Sequence, residues 1–267
     1  QKRYRKNVKG ADVVSGEKFA IRKDWKGRIP VAVVFPNSYY IGMSNLAVHA
    51  LYKELNGMDE IVCERCFLDH TNSIESGRPL TSFAIIFFTL SFELDYVNIP
   101  VILRESSIRL HASDRKRNDP IVVAGGVCAM SNPEPVSSFF DLFLLGDVEA
   151  IMGSFVNTFR ENRHKNRDVL LEKLSEDKWV YNPGQLQVSY GEDGTVAGFV
   201  PEDFLVHIRR QTNRALTTSV IISEQTEFSN MFLIEGSRGF ASKCPCCLLG
   251  NLYDFVCEDI TSCITQV

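Results

Sequence analysis

Short, continuous apolar runs separated by stretches with helical spacing are the feature that most narrows the fold of this 267-residue chain. Pro30 to Phe35, Phe83 to Leu90, Ile121 to Ala124 and Leu142 to Leu145 lack the polar alternation of a half-exposed strand. They therefore read as strands buried on both faces, and Glu60 to Phe67 is predicted as a further strand. Ala47, Ala50, Leu51 and Leu55 recur at helical spacing behind a cap at Ser44 or Asn45, with Asn56-Gly57 as the stop signal. Leu94 to Arg104 is expected to be helical, started or kinked by Pro100. Ile151, Met152, Phe155, Val156 and Phe159 make one apolar stripe that ends in Arg160, Arg163 and Lys165, suited to a helix C-terminus. Strands alternating with helices call for a parallel sheet with right-handed crossovers, so residues 30–165 are predicted to form a doubly wound α/β domain.

Residues 1–29 precede that domain as an extension, and the pattern changes after it. Gln185 to Tyr190 alternates, Gly191 to Gly194 turns, and Thr195 to Val200 returns, which predicts a β-hairpin within a connector over 166–228. Residues 229–267 hold a last expected strand, Phe232 to Glu235, which runs into Ser237-Arg238-Gly239 and a crowd of cysteines.

The net charge of −4 comes from interspersed signs, so the composition supports neither nucleic acid nor a polybasic membrane patch as a partner. The longest apolar run, Phe83 to Leu90, falls far short of the roughly 20 residues that a membrane span needs. The basic residues within 1–10 have no apolar stretch behind them and do not form a secretory signal. Of the eight cysteines, Cys244, Cys246 and Cys247 fall within four positions, a spacing for a metal or redox site rather than a disulfide framework, which places the chain in a reducing, cytoplasmic setting.

In open α/β sheets, ligands bind beyond the carboxyl ends of the strands. Asn37 to Gly42, Ser91 to Glu93, Gly125-Gly126 and Gly146-Asp147 all belong at that edge. A pocket lined by Asn37, Tyr39, Gly42, Ser91, Gly125 and Gly126 is expected, with glycines that let the backbone approach a flat ligand. The residues alone leave flavin, nucleotide and corrin open. Cys63 and Cys66 are spaced Cys-x-x-Cys, but a strand sends them to opposite faces, so they are expected to pack rather than to bind. His49, His70 and His111 have no spaced partners and are assigned no role.

Phe35 to Asn45, Gly125-Gly126, Asn132 to Pro135 and Leu145 to Asp147 resemble the cobalamin-binding-type N-terminal domain of a radical S-adenosylmethionine (SAM) family. Such domains carry Asp-x-His-x-x-Gly, then Ser-x-Leu, then Gly-Gly; here Asn37, Tyr39 and Gly42 stand in the first motif and Ser91 is followed by Glu93. The resemblance implies either cobalamin as a further cofactor, held without a protein histidine because Tyr39 replaces it, or a domain of this type that binds no corrin. Glu235, Ser237, Arg238 and Gly239 then match the Glu-x-Ser-Arg-Gly that precedes the radical SAM cysteine loop.

That loop is Cys-x-x-x-Cys-x-x-Cys, whose thiolates hold a 4Fe-4S cluster with one iron open to SAM. Aligned on it, the ligand positions are Phe240, Cys244 and Cys247, with Cys246 where an aromatic residue is usual. The resemblance therefore implies Cys244 and Cys247 as ligands, with Arg238 and Gly239 as shapers of the loop; either Cys246 or Cys257 substitutes for the missing first thiol, or no cluster forms in this chain. It also implies that a (βα) barrel begins here. Only 20 residues follow Cys247, against about 250 for a complete eight-stranded barrel, so the sequence is expected to be a piece of a longer protein. The functional expectation is reductive SAM cleavage, extending to methyl transfer with cobalamin. A flavodoxin-like binding module without chemistry and a zinc-stabilised domain are the alternatives; the substrate and oligomeric state are not indicated.

Overall fold

The computed structural model describes residues 16–202, 207–213, 215–242, 248–257, 259 and 261. After a two-residue strand β1 (Glu17–Lys18), the apolar runs become β2 (Ile29–Phe35), β3 (Ile61–Phe67), β4 (Ile85–Thr89), β5 (Ile121–Gly125) and β6 (Leu142–Leu144). With β7 (Val180–Tyr181) they form a six-stranded sheet in the order β3-β2-β4-β5-β6-β7, parallel except for the antiparallel pair of β6 and β7. The chain is thus a mixed α/β protein with a central, mostly parallel sheet, as its alternating runs predict. The strand order reverses between β2 and β4, so the connections leave in opposite directions there and open a crevice at the carboxyl ends.

Between the strands lie α1 (Tyr39–Gly42), α2 (Leu46–Gly57), α3 (Ile99–Glu105), α4 (Val127–Ser131), α5 (Val148–Asn162) and α6 (Arg167–Leu174). Asn45 caps α2, its side chain accepting from the Ala47 amide. Pro100 stands at the start of α3, where its missing N–H costs nothing, after a 3₁₀ stretch over Glu93–Asn98. The segment predicted as one helix is therefore two.

Two apolar cores face away from the sheet. One gathers Val31, Val33 and Phe87 with Leu51 and Leu55 of α2 and Ile151, Phe155 and Phe159 of α5. The other gathers Val34, Ile86 and Phe88 with Ile102 and Leu103 of α3. Cys63 packs in the first and Cys66 in the second, both buried, and burial pushes both thiols well above their usual range. Packing is their role.

Among the described residues, the free edge of β3 pairs with no strand. Its outward backbone groups nevertheless all have partners: Ile61 N–H donates to Met58 O and its carbonyl accepts from Lys23 Nζ; Cys63 exchanges both bonds with the Asn56 side chain; Arg65 N–H donates to Glu75 Oε2 and its carbonyl accepts from Ile74 N; Phe67 exchanges both with His70.

Arg65 is fully buried and joins three segments. Its guanidinium donates to both Glu17 oxygens at 2.7 Å and to Glu75 Oε1 at 2.7 Å, and Glu17 also accepts from the Tyr39 hydroxyl at 2.6 Å. Burial pushes the Glu17 carboxyl up, but the Arg65 charge and the hydrogen bonds from Arg65 and Tyr39 together outweigh it and hold the group below its usual range. Because β1 pairs with β10 (Ile222–Ser223), this cluster fastens segments far apart in the sequence to the sheet.

Within the span expected as connector, α6 and β7 pack on the sheet, and the predicted hairpin forms as β8 (Gln187–Tyr190) with β9 (Val196–Val200). The strand expected at Phe232 to Glu235 does not form; Ile234 makes an isolated bridge with Thr218. Instead β11 (Ser237–Arg238) pairs antiparallel with β12 (Val256–Cys257), after a short helix α7 (Leu248–Leu252). A barrel unit requires parallel neighbours, and this pair of two-residue strands does not supply one.

Candidate functional site

Parallel strands bring the loops after β2, β4, β5 and β6 to one edge, and a cavity of about 390 Å³ opens there. Its floor is apolar, with Phe87, Leu144, Leu51, Ile151 and Met152 from the strands and the facing helices α2 and α5. Ser91, Gly125 and Gly126 line it, and so do Arg238 and Gly239, which the sequence assigned to the cysteine loop. Gly126 has φ +102° and an added Cβ would stand 2.7 Å from Leu90 O, so the close approach of the β4 and β5 loops admits only glycine. Gly239, at φ +82°, is equally constrained by Asp254 O at 2.7 Å.

Asn37, Tyr39 and Gly42 share the edge but not the cavity. The loop after β2 turns toward β3, where the Tyr39 ring meets Phe67 edge-on at 5.2 Å and its hydroxyl bonds Glu17 and Ser223. Gly42 lies under the Phe67 ring, 2.5 Å from where a Cβ would be, and Asn37 donates to Asp95 Oδ1 at 2.7 Å. Three of the six expected pocket residues thus stand outside the cavity: Tyr39 and Gly42 are buried against Phe67, and Asn37 binds Asp95. Tyr39 is spent in the buried cluster, so the position of the usual cobalt-ligating histidine does not face the cavity. His49 is buried between Met43 O and the Val220 amide.

The polar rim centres on Arg238. It donates to Glu235 at 2.7 and 2.8 Å and stands 3.4 Å from Asp147 Oδ2 and 3.5 Å from Glu149 Oε1. Asp147 precedes α5 and Glu149 lies in its first turn, where the helix dipole favours acids. Burial raises the Glu149 carboxyl pKa, with Arg238 opposing. Thr89 Oγ1 and Glu149 Oε1 are buried on the cavity without a hydrogen-bond partner among the described residues. Thr89, Glu149 and Tyr253 went unread as site residues, and Asp147 was placed at the ligand edge but given no role. The signals for the acids were an acidic first helical turn after Gly146 and the i,i+3 spacing of Glu235 and Arg238; Thr89 offered none.

Cys244, Cys246 and Cys247 lie outside the described residues. Phe240, which the sequence aligns with the first ligand position, lines the cavity, is 53% exposed and offers no donor. Cys257 is exposed and lies opposite Ser237 in the β11–β12 pair. Among the described residues no three His, Cys, Asp or Glu side chains are grouped to hold a metal ion. No helix among the described residues is long and apolar enough to cross a membrane.

A family model described as radical SAM proteins, N-terminal, matches residues 47–183, just over half of the chain. The chain belongs to this radical SAM family. The matched stretch contains the α2 wall, the β4–β6 floor and α5, and it ends before the Glu235–Gly239 segment; membership therefore rests on the sheet and its cavity, not on the cysteines. An uncharacterized protein of Methanocaldococcus jannaschii is 28% identical over 230 residues, covering 84% of this radical SAM chain and 41% of that relative. The chain spans less than half the length of that relative. No solved structure matches.

Proposed function

We propose that this chain is the N-terminal portion of a radical SAM enzyme and that its strand-end cavity receives a small molecule beside the cysteine loop. One observation carries the reading: a single cavity is built jointly from the family's sheet and from Glu235, Ser237, Arg238, Gly239 and Phe240, the residues that lead into Cys244 to Cys247. Arg238 is the clasp, since its guanidinium ties the loop-side Glu235 to Asp147 and Glu149 at the strand end. In the family a 4Fe-4S cluster supplies the electron for reductive cleavage of SAM. The residues of this chain bind and orient: the apolar floor excludes water, and the glycines let a ligand reach the backbone. Cobalamin is the weaker part of the expectation, because Tyr39 is committed to the core.

The experiment exchanges the residue at the first ligand position. With Phe240, two thiolates in family spacing hold a cluster poorly, and iron and sulfide per protein should stay low after anaerobic reconstitution. Phe240→Cys should raise both several-fold. A full 4Fe-4S complement in the Phe240 protein would show that the ligand assignment is wrong. A second reading, a flavodoxin-like binding module whose cysteine segment is structural, is favoured by the strand order and by Phe240 itself; unchanged low iron in both proteins would select it, and stoichiometric zinc would select the zinc-stabilised variant.

A further inference from the structure

The segment that leaves the cavity rim after β4 is apolar on its outer side as well as its inner one. Directly after Ser91, which lines the cavity, Phe92 is 51% exposed, and the 3₁₀ stretch Glu93–Asn98 carries Leu94 at 88% and Val97 at 71% exposure. Asn98 and Ile99 keep helical dihedrals, so the stretch runs on into α3, where Val101 is again exposed. Spacings of three and four residues put Leu94, Val97 and Val101 on one face. The opposite face, with Ile99, Ile102 and Leu103, is buried in the second core. A helix that is apolar all round belongs between two layers, and the sheet supplies only one of them. The stripe is also held in place: Asn98 Nδ2 donates to Pro36 O at 2.9 Å and Asn37 to Asp95 Oδ1 at 2.7 Å, which pins it to the loop after β2. A fixed, contiguous apolar stripe marks an interaction surface.

Position and length say what covers it. Ser237 to Phe240, which lead into the cysteine loop, line the same cavity as Ser91, so the stripe flanks the end of the sheet where the proposed chemistry lies. The matched family region is by its description N-terminal, and more than half of the Methanocaldococcus jannaschii relative lies outside the stretch it shares with this chain. We propose that the stripe from Phe92 to Val101 is the face on which the remaining part of a longer radical SAM protein docks. This rests on the reading of the chain as the N-terminal portion of such a protein and adds the surface that the remaining part covers. Exposed Glu93, Arg104 and Glu105 border the stripe, and an apolar centre with charged neighbours suits a contact between domains of one chain.

Hydroxyl-radical footprinting of the full-length protein and of this chain reads side-chain exposure directly. Oxidation of Phe92 and Leu94, scored against Tyr190 on the β8–β9 hairpin, is expected to be at least fivefold lower in the full-length protein. Leu94→Lys with Val97→Lys should leave the urea midpoint of this chain unchanged, since both side chains stand in water, and should return Phe92 of the full-length protein to the reactivity it has in the chain alone. Phe92 and Leu94 equally reactive in both proteins would overturn the proposal. So would a full-length dimer that the double variant splits, which assigns the stripe to a second copy, or binding to phosphatidylglycerol vesicles that the variant loses, which assigns it to a lipid surface. A full-length protein no longer than this chain would overturn the underlying reading as well, whereas an uncovered stripe in a longer protein overturns this inference alone. Iron enters none of these measurements, so the iron-to-protein comparison is decided separately.

Discussion

At the scale of single residues, His49 is the side chain whose burial has the clearest thermodynamic consequence. The Val220 amide donates to Nδ1, which fixes the ring proton on Nε2 facing Met43 O, and burial pulls the pKa down to about 4 despite that carbonyl. Arg65 opposes protonation and Glu17 favours it. The unfolded chain takes up a proton near pH 6.5 while the folded one does not, so stability is complete above that value and is lost as pH falls toward about 4. The loss amounts to about 3 kcal/mol. Urea unfolding at pH 7, 5.5 and 4.5 should show this slope, and His49→Gln, which keeps one donor and one acceptor, should flatten it relative to the parent while the carboxylates titrate alike in both. The sequence left His49 unassigned because its partners lie 6 and 171 positions away. The same limit divided the expected pocket: Gly125, Gly126 and Ser91 were legible because a strand end fixes where they point, whereas Tyr39 depended on Glu17 and Ser223, contacts that no local pattern announces.

Among the elements, those with a period came through and those defined by distant pairing did not. The stripe at Ile151, Phe155 and Phe159 gave α5, and the apolar runs gave β2 to β6, because burial on one or both faces writes itself into neighbouring residues. Phe232 to Glu235 has the composition of a strand, yet among the described residues it makes only the Ile234 bridge, since strand formation also needs a partner edge. The β1–β10 pair is the opposite case: two residues long and without a signature, it is secured by the carboxylates that surround Arg65. Replacing Arg65 with Met would leave Glu17 and Glu75 buried without their counter-charge. The expected loss is about 3–5 kcal/mol, read by denaturant unfolding, with early protease access near β1 as the accompanying sign. Restoring neutrality with Glu17→Gln and Glu75→Gln in the Arg65→Met background should recover part of it.

For the molecule as a whole, the sheet is asymmetric in how it ends. On one side β7 is only two residues long; on the other, β3 offers seven residues whose outward amides and carbonyls are already engaged by Asn56, Glu75, Lys23 and neighbouring backbone. An open strand of that length is a template on which a second chain can stack, and such stacking seeds aggregates. Here the Asn56 side-chain amide substitutes for one residue of the missing neighbour. Asn56→Ala should strip both Cys63 backbone groups of their partners, cost about 1–3 kcal/mol, and raise light scattering during refolding; a variant that stays as clear as the parent would show that the rest of the edge suffices. The consequence reaches beyond stability. With its β3 edge already engaged, the sheet offers no template there for an added strand, so a partner on that side has to dock through side chains rather than by extending the sheet.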